Sequence, residues 1–164
     1  MNDDRVREAK LLAHTGRPAE ALAAADAVLD EEPEHLEALI LKAQLLQQQG
    51  APESAVALYE RAVRMAPAAP EAWNEQARCL HALRRDDEAL AAARQARALL
   101  DEGADARHFA AVSLTLVWCL REKGQLREAL AVAEECLRRA PDAVVADWAG
   151  QIEQEIAESE RDRC

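Results

Sequence analysis

The chain has 164 residues, half of them hydrophobic but only 3% aromatic, and a formal charge of −11. That length suits one compact domain or a short repeat array, and a core so poor in aromatics must be built from Ala, Leu and Val, which favours helices over strands. The acidity argues against nucleic acid and anionic membrane surfaces as partners, because both are recognised through clustered Lys and Arg.

The opening MNDDRVREAK carries two acids where a secretory leader has basic residues, so the expected setting is the cytoplasm, and a bacterial one. A helical pattern over about residues 3–15 stops at Gly16. Pro18 opens a second helix, about 18–31, because a first-turn proline lacks only an N–H that has no intrahelical partner. Pro33 closes it. The phrase then returns: helices over about 35–49 and 52–66 flank Gly50 and end before Pro67. Helices over about 70–83 and 86–101 flank Arg84, which stands where a glycine is expected, and Asp101 takes the place of the proline. Those over about 105–123 and 126–140 flank Gly124 and end at Pro141. A ninth helix, about 142–160, carries Val144, Trp148, Ile152 and Ile156 as one apolar stripe, which suits a cap on the last unit.

The intervals share one period. Ala21, Ala55 and Ala89 are 34 residues apart and Ala129 follows after 40, while Gly50 to Gly124 and Pro67 to Pro141 are both 74. Three markers therefore agree on a 34-residue unit with a single six-residue insertion, near residues 104–109. In three of the four units a glycine able to take the left-handed conformation closes one helix, and in all four a small alanine lets the next approach it closely.

With this period and unit the chain resembles the tetratricopeptide repeat family. The second repeat matches best, through Ala43, Gly50, Ala55, Tyr59, Ala62 and Pro67, and the third contributes Trp73, Ala77, Leu80, Ala89 and Ala96. Ala25, Ala93 and Ala133 replace the large aromatic of the second helix, which implies a thinner core. The resemblance implies an all-α, right-handed superhelical solenoid forming one domain, with repeats at about 2–35, 36–69, 70–103 and 110–143 and a capping helix over about 142–160.

It also implies a protein-interaction module, an adaptor or scaffold holding a peptide or helix of a partner in a concave groove lined by the first helix of each repeat. The candidate groove residues are Arg7 and Lys10 from the first repeat, Ile40, Leu41 and Gln44 from the second, Asn74, Arg78 and His81 from the third, and Leu114, Trp118 and Arg121 from the fourth. The wider first-helix set holds four basic and five acidic residues, so this face repels an anionic partner least. The expected client joins an apolar anchor, received by Leu114 and Trp118, to carboxylates received by Arg78 and Arg121. Chaperone-binding members of the family clamp a terminal carboxylate with Lys and Asn, but Val6, Lys10, Ile40, Glu71 and Glu75 stand at the matching positions, so acidic chaperone tails are not expected.

Two other readings stay open. PEAWNEQARCLHAL resembles the middle repeat of the small acidic chaperones of type III secretion, which shield a hydrophobic client segment. The uncharged run Phe109 to Leu120 offers a homodimer seam, and its 12 residues fall short of the roughly 20 that span a membrane. No catalytic residue, cofactor or metal is expected, because HExxH, GxSxG, GxGxxG and phosphate-loop motifs are missing and His14, His35, His81 and His108 are not spaced as ligands. Cys79, Cys119, Cys136 and Cys164 lie far apart without a CxxC pair and read as reduced thiols, Cys79 and Cys119 as packing residues at equivalent places. Cys164 is too close to the end for a prenylation box.

Overall fold

The structure is a computed structural model that describes residues 1–100 and 103–161, so the sequence readings of Asp101 and Cys164 fall outside the described residues. Within them the chain forms helices α1 (Asn2–His14), α2 (Pro18–Glu31), α3 (Leu36–Gln48), α4 (Pro52–Met65), α5 (Pro70–Ala82), α6 (Asp86–Ala98), α7 (Ala106–Glu122), α8 (Leu126–Arg139) and α9 (Ala143–Arg161), and no strand. Consecutive helices pair, and each pair stacks on the next as an α-helical solenoid. Among the described residues no helix is long and apolar enough to cross a membrane.

The hinge inside each pair is one repeated hydrogen-bonded motif. Arg17 N–H donates to the Leu12 carbonyl, Ala51 to Leu46, Arg85 to Leu80 and Gln125 to Leu120, at 2.9–3.0 Å. These six-residue closures are the Schellman bond, which needs a left-handed residue one place before the donor. Gly16, Gly50 and Gly124 supply it with φ of 79°, 79° and 69°, and Arg84 is forced to φ 60° in the third pair. A Cβ costs roughly 1–2 kcal/mol in that conformation, partly offset by the extra freedom of an unfolded glycine. Arg84→Gly should therefore stabilise the chain by about 1 kcal/mol and raise the melting temperature by roughly 2–4 °C, as a thermal melt would read. The side chain's ion pairs with Asp86 at 3.9 Å and Glu122 at 3.4 Å are too exposed to reverse that sign.

Small residues fill the core in register. Ala21, Ala55, Ala89 and Ala129 have no exposed surface, and neither do Ala25, Tyr59, Ala93 and Ala133. Burial of the Tyr59 ring, whose hydroxyl has no hydrogen-bond partner among the described residues, raises the phenol pKa far above its ordinary value. The core is thin at the other three places of that column, as the alanines imply.

The six-residue insertion extends a helix as well as a loop. α7 has 17 residues where α3 and α5 have 13, so one extra turn precedes the regular part. Asp105 caps it, accepting from the amides of Arg107 at 2.9 Å and His108 at 3.3 Å. The added turn buries Phe109, whose ring lies between the guanidinium groups of Arg97 and Arg139, 4.4 and 3.8 Å from its centroid. Eight of the 12 residues from Phe109 to Leu120 are buried within the chain itself.

α9 lies on α8, but its apolar row is turned by one position from the expected stripe. Val144 is 54% exposed, whereas Val145, Ala149 and Ile152 are buried, with Trp148 and Ile156 at the edge. A strict four-residue row drifts by about 40° at each step because four residues overshoot one turn. The row that stays on one side alternates steps of four and three, which selects Val145 and Ala149.

Candidate functional site

The first helices bring part of the candidate set together and separate the rest. Three depressions on α1, α3 and α5 share walls, and Gln44 lines all of them. Lys10 and Leu41 join it toward α1, Ile40 lies toward the start of α3, and Arg78 borders the depression toward α5. Leu36, Ala69 and Ile40 give this groove an apolar wall, and Gln47 and Gln48 extend its amide-bearing side. Leu36 and Ala69 were not legible as groove residues, because they sit at the junction where one pair meets the next. Arg7 stands apart, pairing with Asp4 at 2.8 Å on its own helix.

Both groove cations already have carboxylate partners. Lys10 Nζ lies 2.6 Å from Glu37 and Arg78 lies 3.2 Å from Glu75, while Glu71 lies 3.3 Å from the His108 ring. Two cations against three carboxylates leave the groove weakly acidic once folded. The charge count of the sequence, which expects Arg78 to greet a carboxylate, does not contain these pairings.

Between α5 and α7 two candidate residues meet each other, and Trp118 stays partly exposed. The Trp118 and His81 rings meet in a tilted contact, with centroids 3.8 Å apart and planes inclined by 53°, and His81 is buried with Asp86 3.4 Å from its Nδ1. Asn74 is buried beneath this face, and its Oδ1 has no hydrogen-bond partner among the described residues. Leu114 is half-buried against the main core. Arg121 is engaged by α9, donating from Nε to Glu155 at 3.0 Å and from Nη1 to Gln151 at 3.2 Å. In this fold Trp118 joins two helices and Arg121 fastens the last one.

The described residues contain no cluster of three His, Cys, Asp or Glu side chains that could hold a metal. Burial raises the thiol pKa of Cys79 and Cys136 and pushes Cys119 up to about 11. In the native protein these three thiols should resist alkylation at pH 8 and react only on unfolding, as mass spectrometry of labelled peptides would show. Since the folded pKa of Cys119 exceeds its ordinary 9.0, its stabilising contribution is full below pH 9 and is lost as pH rises through about 11.

A family profile described as tetratricopeptide repeat matches residues 6–70 and 40–106. No curated protein matches the chain. Among solved structures, the MamA protein aligns with a TM-score of 0.74 at 17% identity, covering 93% of this chain and 81% of that one. PilF of Pseudomonas aeruginosa aligns at 0.85 and 17% identity, covering 96% and 69% respectively. YrrB, described as a TPR protein with an unusual peptide-binding site, aligns at 0.71 and 20% identity, covering 93% and 76%. At these identities the likeness is one of fold.

Proposed function

The chain belongs to the tetratricopeptide repeat family, and from that premise we propose that it is a protein-interaction module, an adaptor or scaffold holding a segment of a partner protein against the concave side of α1, α3 and α5. The observation that carries this reading is the convergence of three depressions on Gln44. An apolar side chain of the partner fits against Leu36, Ile40 and Ala69, and the amides of Gln44, Gln47 and Gln48 offer donors and acceptors to its main chain. The peptide-binding site named for YrrB supports a peptide as the ligand. Because Lys10 and Arg78 are paired within the groove, the preferred segment is neutral or basic around its apolar anchor. The same reading gives the chain no catalytic residue, cofactor or metal of its own.

We expect the free protein to sediment as a monomer, since the run from Phe109 to Leu120 directs most of its apolar surface inward. Once a partner has been isolated from the native host, Gln44→Arg should weaken binding by on the order of 2 kcal/mol, because a charged side chain at the junction of the depressions obstructs all three. Arg61→Ala and Arg94→Ala, on second helices, should change it little. Loss of binding in those two variants with retention in Gln44→Arg would move the interface to the outer surface.

A further inference from the structure

A second depression at the head of α7 has the same place in its repeat as the apolar end of the groove, and a different set of charged residues. Ala110, Ala111 and Leu114 stand 74 residues after Leu36, Glu37 and Ile40, and both depressions enclose about 450 Å³. The earlier one is bordered by Lys10 and by three carboxylates, Glu37, Glu71 and Glu75, whereas the residues lining the later one include Arg107, Arg139 and a single carboxylate, Asp142. Asp142 caps α9, its Oδ1 accepting from the amides of Val144 at 2.8 Å and Val145 at 3.2 Å. The guanidinium of Arg139 lies over the Phe109 ring. That of Arg107 is exposed and has no hydrogen-bond or ion-pair partner among the described residues.

The inserted turn creates this difference. It carries Ala106 and Arg107 beyond the point where α3 and α5 begin, and Ala111 occupies the place that holds a carboxylate, Glu37, in the second repeat. In a chain of charge −11, an unpaired guanidinium beside an apolar floor is selective for negative charge. We propose that this depression docks an acidic, apolar segment of a partner protein. A Leu-sized side chain lies against Ala110, Ala111, Leu114 and Pro141, and a neighbouring carboxylate accepts charge-assisted hydrogen bonds from Arg107. A nucleic acid is the wrong occupant, because two guanidinium groups cannot neutralise a run of phosphates on so acidic a chain. This site is separate from the groove around Gln44 and stands or falls independently of it.

The test is a titration of the isotope-labelled full chain, followed by amide NMR shifts, with a ten-residue synthetic peptide of alternating Asp and Leu. Its counterpart with Lys in place of Asp is the control. Saturable shifts at residues 106–114, 140 and 142 with the acidic peptide alone, weakening as salt is added, are expected. Arg107→Glu should weaken that binding roughly tenfold, and Ala111→Glu, which restores the residue of the second repeat, should do the same. Lys10→Glu should leave it unchanged. Both substituted positions are exposed, so circular dichroism and thermal unfolding should match the unsubstituted chain. Equal shifts with the Lys peptide, shifts confined to other helices, no saturable shift, or undiminished affinity in Arg107→Glu and Ala111→Glu would each overturn the proposal.

Discussion

Deleting residues 142–164 should leave a protein that unfolds at markedly lower temperature, with a broadened transition and a tendency to aggregate. A repeat array is held by contacts between neighbours, so a terminal unit keeps its apolar face dry only if something covers it. Val145 and Ile152 of α9 are buried against the preceding pair. Arg121 and Arg127 reach across to α9, the latter pairing with Glu160 at 2.7 Å. Exposed pairs of this kind contribute little, so the apolar row dominates. Ile152→Ala in the full chain should then cost about 3 kcal/mol, because the side chain is fully buried and the cavity would collapse only in part. For a chain of this size that corresponds to a fall in melting temperature on the order of 10 °C. Val144→Ala, at the exposed neighbour of the row, should change stability by only a few tenths of a kcal/mol. Unchanged melting in both the deletion and Ile152→Ala would mean that α9 is not a cap.

Phe109→Ala should be the most damaging single substitution in the inserted turn, at about 4 kcal/mol in denaturant unfolding. In a core made largely of alanine, this ring supplies bulk that the repeat pattern itself does not, and it sits 1% exposed between two guanidinium groups. Phe109→Leu separates the two contributions. It keeps most of the buried area and removes the ring face, so its cost should be limited to about 1–2 kcal/mol. A midpoint shift without a change of slope would confirm that the effect is on stability. If Phe109→Ala and wild type unfold together, the inserted turn carries no part of the core.

The hinges and columns were legible in the sequence because each depends on residues close together in one repeat. Gly16, Gly50 and Gly124 must supply left-handed backbone wherever they occur, and the place of Arg84 in the period identified it as the exception. Relations between helices from different pairs were not legible. Lys10 meets Glu37 across 27 residues, and Arg121 meets Glu155 across 34, so a tally of groove charges treated as free two cations that the fold had paired. The contact of Trp118 with His81 has the same origin, since how closely α7 approaches α5 depends on how successive pairs stack. The basic depression at the head of α7 was hidden for another reason. Leu114 was legible from its place in the repeat, but Ala106 and Arg107 belong to the inserted turn, for which the other repeats offer no template.

A photo-reactive amino acid placed at Gln44, compared in the native host with the same residue placed at Arg64 on the exposed side of α4, tests the central claim most directly. Adducts to a partner protein should form from position 44 and be suppressed by the additional change Ile40→Asp, with position 64 giving none. Adducts from position 64 alone, with position 44 unreactive, would contradict a partner held on the concave side.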